Sequence, residues 1–222
     1  MSEIVKTEGI CLSIHPWSRT SHVVVWMTPA GKLTTVVKGA LRPKSFFLGQ
    51  YDLNYRCEIL YYVRSRGETH PMRECYPLDA RDNLRDDWRA LALASYFRAL
   101  VGALAPAGQD AEAWYRLLDK ALAADAGTLR ELLVFELKAL ALAGLKPEIE
   151  SVDGAFALRG ERRLPVSPEV VAWLRRPDDP RADEKFLLDA VRVIGVFYIL
   201  HVEFAADVRR NVITMISKPK NT

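Results

Sequence analysis

The sequence predicts an α+β protein in which a small β-barrel precedes an α-helical bundle. Before residue 78, short segments rich in β-branched and aromatic side chains alternate with turns, which is typical of strands. From residue 79 onward, apolar residues recur at helical spacing. Half of the 222 residues are hydrophobic and 27% are charged, as in ordinary globular proteins. We therefore expect two domains, residues 1–78 and residues 79–222.

Five strands are predicted in the first domain, with a longer loop after the third. Tight turns between such short strands favour the five-stranded OB-fold, a β-barrel that often binds oligonucleotides, and an SH3-like barrel fits almost as well. Pro71 lies in the fifth strand and indicates an edge position or a bulge. The predicted strands cover residues 4–16, 21–28, 32–40, 53–63 and 68–75.

Helices are predicted for most of the second domain, after a linker at residues 79–83. The third helix should end at Gly144, with Pro147 just beyond, and Ser167 and Pro168 should begin the fourth. The last helix, residues 183–208, is apolar nearly all round and is expected at the centre of the bundle. Residues 147–166 read as an irregular insert or a small hairpin without cysteine. The first helix should carry an apolar stripe of Leu84, Trp88, Leu91, Tyr96, Leu100 and Leu104.

Charge is distributed unevenly along the chain. The formal net charge is +3, and residues 1–80 hold ten Lys and Arg against seven Asp and Glu, so the excess lies there. Between Gly9 and Tyr51 there are five basic residues and no acidic one. A local field of one sign attracts polyanions. The basic loop in "VVKGALRPKSFF" is therefore a candidate for nucleic-acid binding.

Other chemistries find little support in the sequence. Three scattered cysteines match neither a disulfide framework nor a zinc site, and we expect them to be buried free thiols. The four histidines have no triad-like arrangement, and phosphate-binding glycine motifs are lacking. Acidic clusters such as "RDDWR" are interpreted as solvated charge pairs and helix caps. We predict a protein that is not an enzyme, needs no cofactor or metal, binds no membrane or small-molecule substrate, and is cytoplasmic.

Several motifs together resemble the bacterial RecO family of recombination mediators. The matching segments are "KTEGICLS" at 6–13, "TPAGKL" at 28–33 and "VVKGALRPKSFF" at 36–47. Further on, "FELKALALAGLKP" at 135–147, "LPVSPEVVAWLRR" and the long last helix stand where the family has them. Some members hold zinc with four cysteines after the third helix, but residues 147–165 contain neither Cys nor His. The chain therefore resembles a zinc-free member.

The resemblance implies DNA repair and homologous recombination without enzymatic catalysis. Proteins of this family bind single- and double-stranded DNA, anneal complementary strands, and help the partner RecR to load recombinase onto DNA coated by single-strand binding protein. Cations neutralise phosphates during such binding, and aromatic rings support bases. Gly39 would let the backbone leave the third strand, and Pro43 would stiffen the loop. The expected DNA-binding residues are Lys32, Lys38, Arg42, Lys44, Arg19 and Phe46, with Trp17 and Phe47 as further aromatic candidates.

The resemblance also implies that the C-terminal tail of single-strand binding protein docks on the helical domain. An acidic tail that ends in phenylalanine needs an apolar pocket beside a basic side chain. The basic candidates on the second and third helices are Arg116, Lys120, Arg130 and Lys138, near Leu117, Leu133 and Phe135. Two alternatives remain: an OB-fold protein associated with RNA or the ribosome, and a protein-interaction scaffold without DNA contact.

Overall fold

The chain folds into two compact units. The first combines Met1–Asp87 with Phe97–Asp125, and the second combines Trp88–Tyr96 with Ala126–Thr222. A computed structural model describes residues 3–65, 67–108, 110–124, 127–145, 147, 149–152, 155–158, 162–177, 184–202, 204 and 206–217, without the side chains of 149–152, 155–158, 162–164 and 184. Each unit thus combines two separate stretches of the chain, so a single boundary does not separate them. The domain boundary expected at residue 78 stays a prediction.

A closed five-stranded barrel forms the centre of the first unit. The strands follow the order β1-β2-β3-β5-β4, and β4 pairs with β1 to close the barrel. All neighbouring strands are antiparallel except β3 and β5. This arrangement confirms the predicted OB-fold. The strands are β1 (Ile4–Ser18), β2 (Ser21–Thr28), β3 (Gly31–Val37), β4 (Arg56–Tyr62) and β5 (Thr69–Asp79).

The barrel interior is filled by apolar side chains from all five strands. Trp26 is fully buried, and its indole nitrogen donates to the Thr35 hydroxyl at 2.9 Å, which satisfies both polar groups in the core. The three cysteines, Cys11, Cys57 and Cys75, are free and buried in this cluster, as predicted. Burial raises the pKa of the Cys11 thiol, so it behaves as an inert core residue.

Pro71 does not place β5 at an edge. It pairs with Val36 in the parallel ladder between β3 and β5, and β5 also pairs with β4. The register between β4 and β5 shifts between the pairs Leu60–Glu74 and Tyr61–Met72. The expectation of an edge strand is wrong because the barrel closes. The other expectation, a bulge, fits better, because the register shift lies between Met72 and Glu74, just after the proline.

The segment expected as a linker is fixed to the first unit. Arg81 is buried, and its guanidinium bonds both Asp79, at 2.8 Å, and Asp119 on α2 (Ala111–Leu122). The Asn83 amide donates to the Leu122 carbonyl at 3.1 Å. That carbonyl is in the last turn of α2, where helix carbonyls lack partners within the helix. A short 3₁₀ helix follows at Asp82–Arg85.

The other helices include two with ends that capping residues predicted, at Gly144 and at Ser167. They are α1 (Trp88–Leu104), α3 (Leu129–Leu142), α4 (Pro168–Arg175), α5 (Glu184–His201) and α6 (Ala206–Ile216). Thr128 and Glu131 form a capping box on α3, and Gly144 follows that helix with φ of +71°. The Ser167 hydroxyl accepts from the Val170 amide, as predicted for an N-cap before Pro168.

The predicted last helix is two helices. Arg209 of α6 donates to the Val191 carbonyl of α5 at 3.2 Å. In one straight helix, 18 residues would separate these positions by roughly 27 Å. The chain must therefore turn between α5 and α6, and the prediction of one helix through residue 208 is wrong. Nor is α5 buried all round, since Ile199 is 71% exposed.

Two more expectations require correction in the second unit. Trp88 and Leu91, placed on the apolar stripe of α1, are exposed, whereas Tyr96 of the same stripe is buried. The segment after α3, expected as an irregular insert or hairpin, contains a three-stranded antiparallel sheet of β6 (Ile149–Val152), β7 (Ala155–Leu158) and β8 (Arg162–Pro165). Within the described residues, no helix combines the length and the apolar character that a membrane span requires.

Candidate nucleic-acid interface

The basic loop, residues 38–51, is a chain of hydrogen-bonded turns. It leaves β3 at Gly39, whose φ of +69° is a left-handed conformation that glycine adopts without strain. The Arg42 amide donates to the Gly39 carbonyl at 3.1 Å, and the Ser45 amide donates to the Arg42 carbonyl at 2.9 Å. Pro43 occupies the second position of the latter turn, where its fixed φ is favoured. The predicted roles of both residues therefore fit the observed backbone.

The far end of the basic loop is anchored in the barrel. The Tyr51 hydroxyl lies 2.8 Å from His22 Nδ1, and its ring contacts Trp26 edge-on at 6.2 Å. Burial is the main reason that the pKa of Tyr51 is raised, so the phenol stays protonated. Phe47 packs against the barrel core. These contacts give the loop a defined shape from which its charged side chains project.

Four of the predicted DNA-binding cations lie at one end of the barrel. The loop is tied to the β1–β2 turn because the Leu41 amide donates to the Thr20 carbonyl at 3.1 Å and the Gly39 amide donates to Ser21 Oγ at 3.2 Å. Within the described residues, none of the four forms an ion pair, in contrast to many other arginines of the chain. We call these four exposed residues the basic surface: Arg19, Lys38, Arg42 and Lys44.

Lys32, the fifth cation of the acid-free segment, lies elsewhere. It is at the opposite end of β3 from Lys38, roughly 20 Å away at the rise of a β-strand. Its ammonium donates to the Gly102 carbonyl in the last turn of α1 at 2.8 Å. Partial burial lowers the pKa of Lys32. Lysine often stabilises a helix C-terminus in this way. Because Lys32 lies at the other end of β3 and bonds α1, the structure does not bring it together with the basic surface.

The aromatic candidates divide into exposed and packed rings. Phe46 is 58% exposed, whereas Phe47 beside it packs against the core. Trp17, on the last part of β1, is 67% exposed. The structure adds Tyr76 of β5, whose ring lies 5.9 Å from that of Phe46. Sequence reasoning missed Tyr76, although the alternation of β5 around buried Cys75 points it outward.

The candidates for partner binding fall in different units. Arg116 and Lys120 are on α2 in the first unit, and Arg130 and Lys138 are on α3 in the second. Arg116 forms an ion pair with Glu112, whereas Lys120 and Lys138 are exposed. The apolar neighbours Leu133 and Phe135 are buried, while Leu117 is partly exposed. Only Leu117 of these three therefore offers apolar surface to a partner.

Ligands for a metal do not converge in the described part of the chain. No group of three or more His, Cys, Asp or Glu side chains is placed there to hold an ion. His15 and His22, which flank the first turn, bond Ser13 at 2.9 Å and Tyr51 at 2.8 Å rather than a shared ligand.

Comparison with known proteins identifies the family. The model of the recombination protein O C-terminal region matches residues 85–152. The DNA repair protein RecO of Moorella thermoacetica is 30% identical over 173 residues, which are 76% of this chain and 64% of that protein. The chain belongs to the RecO family.

Two further members of the family match a similar share of the chain. The DNA repair protein RecO of Alkaliphilus metalliredigens is 31% identical over 154 residues, covering 67% of this chain and 61% of that protein. That of Desulforudis audaxviator is 32% identical over 155 residues, covering 68% and 61%. The chain thus spans less than two thirds of the length of these relatives.

Proposed function

We propose that this chain is a mediator of DNA repair and homologous recombination, acting in the cytoplasm without enzymatic catalysis. It binds single- and double-stranded DNA through the basic surface and anneals complementary strands. With RecR, it helps to load recombinase onto DNA coated by single-strand binding protein. The supporting observation is the basic surface itself: four exposed cations without ion pairs among the described residues, three of them on a loop of defined shape and Arg19 on the β1–β2 turn to which that loop is tied. The names of the related proteins, which are DNA repair proteins, support the same role.

The physical basis is the release of counterions. Lys and Arg side chains that neutralise phosphates displace condensed cations, so affinity falls as salt rises. A surface whose cations come from a stretch of the chain without acidic residues also reduces the repulsion between two strands that approach each other, which favours annealing. Residues held on hydrogen-bonded turns lose less conformational freedom on binding. These properties predict binding that is strongly dependent on salt and largely independent of sequence.

The test removes the three loop cations of the basic surface. A variant with Lys38, Arg42 and Lys44 changed to Ala should flatten the slope of log affinity against log salt by roughly 2 units on a single strand. Fluorescence anisotropy of a labelled oligonucleotide from about 50 to 300 mM salt measures this slope. Annealing of complementary strands should slow in parallel, while the melting temperature should change little because the side chains are exposed.

A second triple variant controls for total charge. Lys185, Arg192 and Arg210 are exposed on α5 and α6, and their change to Ala removes the same charge at another place. We expect this control to keep the slope of the unmodified protein. Equal slopes in both variants and the unmodified protein would contradict the proposal. Preference for structured RNA over DNA would favour the RNA-associated alternative.

We propose that the tail of single-strand binding protein docks beside Leu117 and Lys120 on α2. Leu117 provides apolar surface and Lys120 a cation without an ion pair among the described residues, whereas the apolar candidates on α3 are buried. Lys120→Ala should weaken binding of an acidic peptide that ends in phenylalanine, with Lys138→Ala as the matched control. A stronger effect of Lys138→Ala would place the contact on α3 instead.

A further inference from the structure

We propose that Phe46 and Tyr76 form a platform on which unpaired bases of a single nucleic-acid strand stack. The proposal rests on the DNA binding proposed above and adds a site for bases next to the site for phosphates. It implies that the barrel distinguishes single strands from duplexes, because a base in a duplex is already stacked between its neighbours. Tyr76 is the new residue in this assignment.

The two rings are exposed and held in place. Phe46 is 58% and Tyr76 is 38% exposed, and their ring centroids are 5.9 Å apart at an interplanar angle of 85°. Phe46 also contacts Phe47 edge-on at 6.1 Å. The Tyr76 hydroxyl donates to Glu74 Oε2 at 3.1 Å, which fixes the ring from its other end. Rings that are ordered before binding provide stacking surface at little entropic cost.

Strand topology brings these rings to the basic end of the barrel. Since β3 and β5 are parallel, the C-terminal parts of both strands point to the same end. The basic loop leaves β3 at this end and must reach β4, which lies beyond β5 in the strand order. The loop therefore passes the C-terminal part of β5, where Phe46 meets Tyr76. Lys44, two residues before Phe46, stands close enough along the chain to bind the phosphate of a stacked nucleotide.

The charges around the platform suit a polyanion with exposed bases. Glu74 forms an ion pair with Arg73 at 3.0 Å. Glu58, opposite Tyr76 on β4, forms one with Lys6 at 2.7 Å. Both nearby carboxylates are thus offset by cations, while the neighbouring loop carries cations and no acid. Proteins that bind single strands combine a positive track with aromatic faces in this manner.

The experiment compares one single strand with the matching duplex. Phe46→Leu and Tyr76→Leu, alone and combined, remove the aromatic ring and keep apolar bulk. The combined variant should lose about 5- to 150-fold in affinity for the single strand. Its affinity for the duplex should stay within about twofold, and the salt slope should not change, because no phosphate contact is lost. Tyr76→Phe should bind as the unmodified protein does.

Two controls identify the role of the rings. Leu78→Ala removes exposed apolar surface two residues further along β5 without removing a ring, and it should leave single-strand affinity intact. Photocrosslinking of a strand that carries 5-iodouracil should label the peptides of Phe46 or Tyr76. Melting curves check the fold. If Phe46→Leu proves unstable because of its contact with Phe47, Tyr76→Leu alone carries the test.

The outcomes separate failure of the platform from failure of the proposed function. Unchanged single-strand affinity in a folded double variant would overturn the platform and leave DNA binding in place. An equal loss on single strand and duplex would also overturn it, because the rings would then only hold the loop in shape. If the unmodified protein binds neither DNA, the proposed function fails first and the platform with it.

Discussion

Replacing Arg209 with Met should strongly destabilise the second unit. Glu136 of α3 is fully buried, and Arg209 Nε and Nη2 donate to its two carboxylate oxygens at 2.7 and 2.9 Å. The Tyr96 hydroxyl donates to the same carboxylate at 2.5 Å, and the Arg209 guanidinium lies 5.4 Å from the centre of the Tyr198 ring. Without Arg209, the buried carboxylate keeps Tyr96 as its remaining hydrogen-bond donor among these groups. Breaking a buried ion pair from one side costs about 3–5 kcal/mol.

This loss is large against the total stability of a protein. Native proteins unfold at a cost of about 5–15 kcal/mol, so a loss of about 3–5 kcal/mol would remove between roughly one fifth and all of the stability. At about 2–4 °C per kcal/mol for a chain of this size, the melting temperature should fall by roughly 6–20 °C. Urea unfolding followed by circular dichroism measures the free energy directly.

Two further variants make the test of this ion pair specific. Arg210, the next residue, is 73% exposed and pairs with Asp207, so Arg210→Met should cost less than about 1 kcal/mol. Changing Glu136 to Leu in the Arg209→Met background removes the orphaned charge and should recover most of the loss. If Arg209→Met unfolds within about 1 kcal/mol of the unmodified protein, the carboxylate is not buried as described and the reasoning is refuted.

Three other predictions concern the loop, the helix end and metal. Gly39→Ala should lower stability by about 1–2 kcal/mol because the backbone at this position is left-handed. It should also displace Arg42, whose Cδ would lie 3.3 Å from the new methyl group, so DNA affinity should fall. Gly49→Ala is the control, because φ is +73° there but the space around it is open, and it should lower stability alone. Lys32→Ala should lower stability by about 0.5–1.5 kcal/mol through loss of the Gly102 bond and leave the salt slope unchanged, whereas a drop in that slope would return Lys32 to the DNA-binding residues. A chelator should not alter the melting temperature, since residues 147–165 lack Cys and His, and stoichiometric zinc in purified protein would contradict this.

The sequence predicts best those features that depend on local pattern. The short apolar run "SHVVVWMT" and the turn at Pro29 to Gly31 define β2 and its hairpin, and the capping residues of α3 and α4 mark helix ends. The chain turn between α5 and α6 has no comparable local signal. The turn lets Arg209 reach Glu136, a contact across 73 residues, and neither hydropathy nor helix propensity reports such a contact.

Residues of the same type can also differ in role because of tertiary contacts with other segments of the chain. Lys32 and Lys38 lie on either side of the same apolar strand core, and both count as basic residues in an acid-free run. Only the part of α1 that belongs to the first unit gives Lys32 a carbonyl to bind. Likewise, Phe46 and Phe47 are adjacent in the chain, but the course of the loop sends one ring to solvent and the other to the core.

The position of the basic loop follows from the strand order of the barrel. β3 and β4 are consecutive in sequence but are not neighbours, because β5 lies between them. The connection must therefore cross the end of the barrel. Its contacts with both strands agree with this course, because the Gln50 carbonyl accepts hydrogen bonds from the thiols of Cys57 on β4, at 3.6 Å, and of Cys75 on β5, at 3.8 Å. A loop that crosses this opening presents Phe46 beside the outer face of β5. Tyr76 consequently joins Phe46 although 29 residues lie between them in the chain, and no periodicity within either segment indicates that the two rings meet.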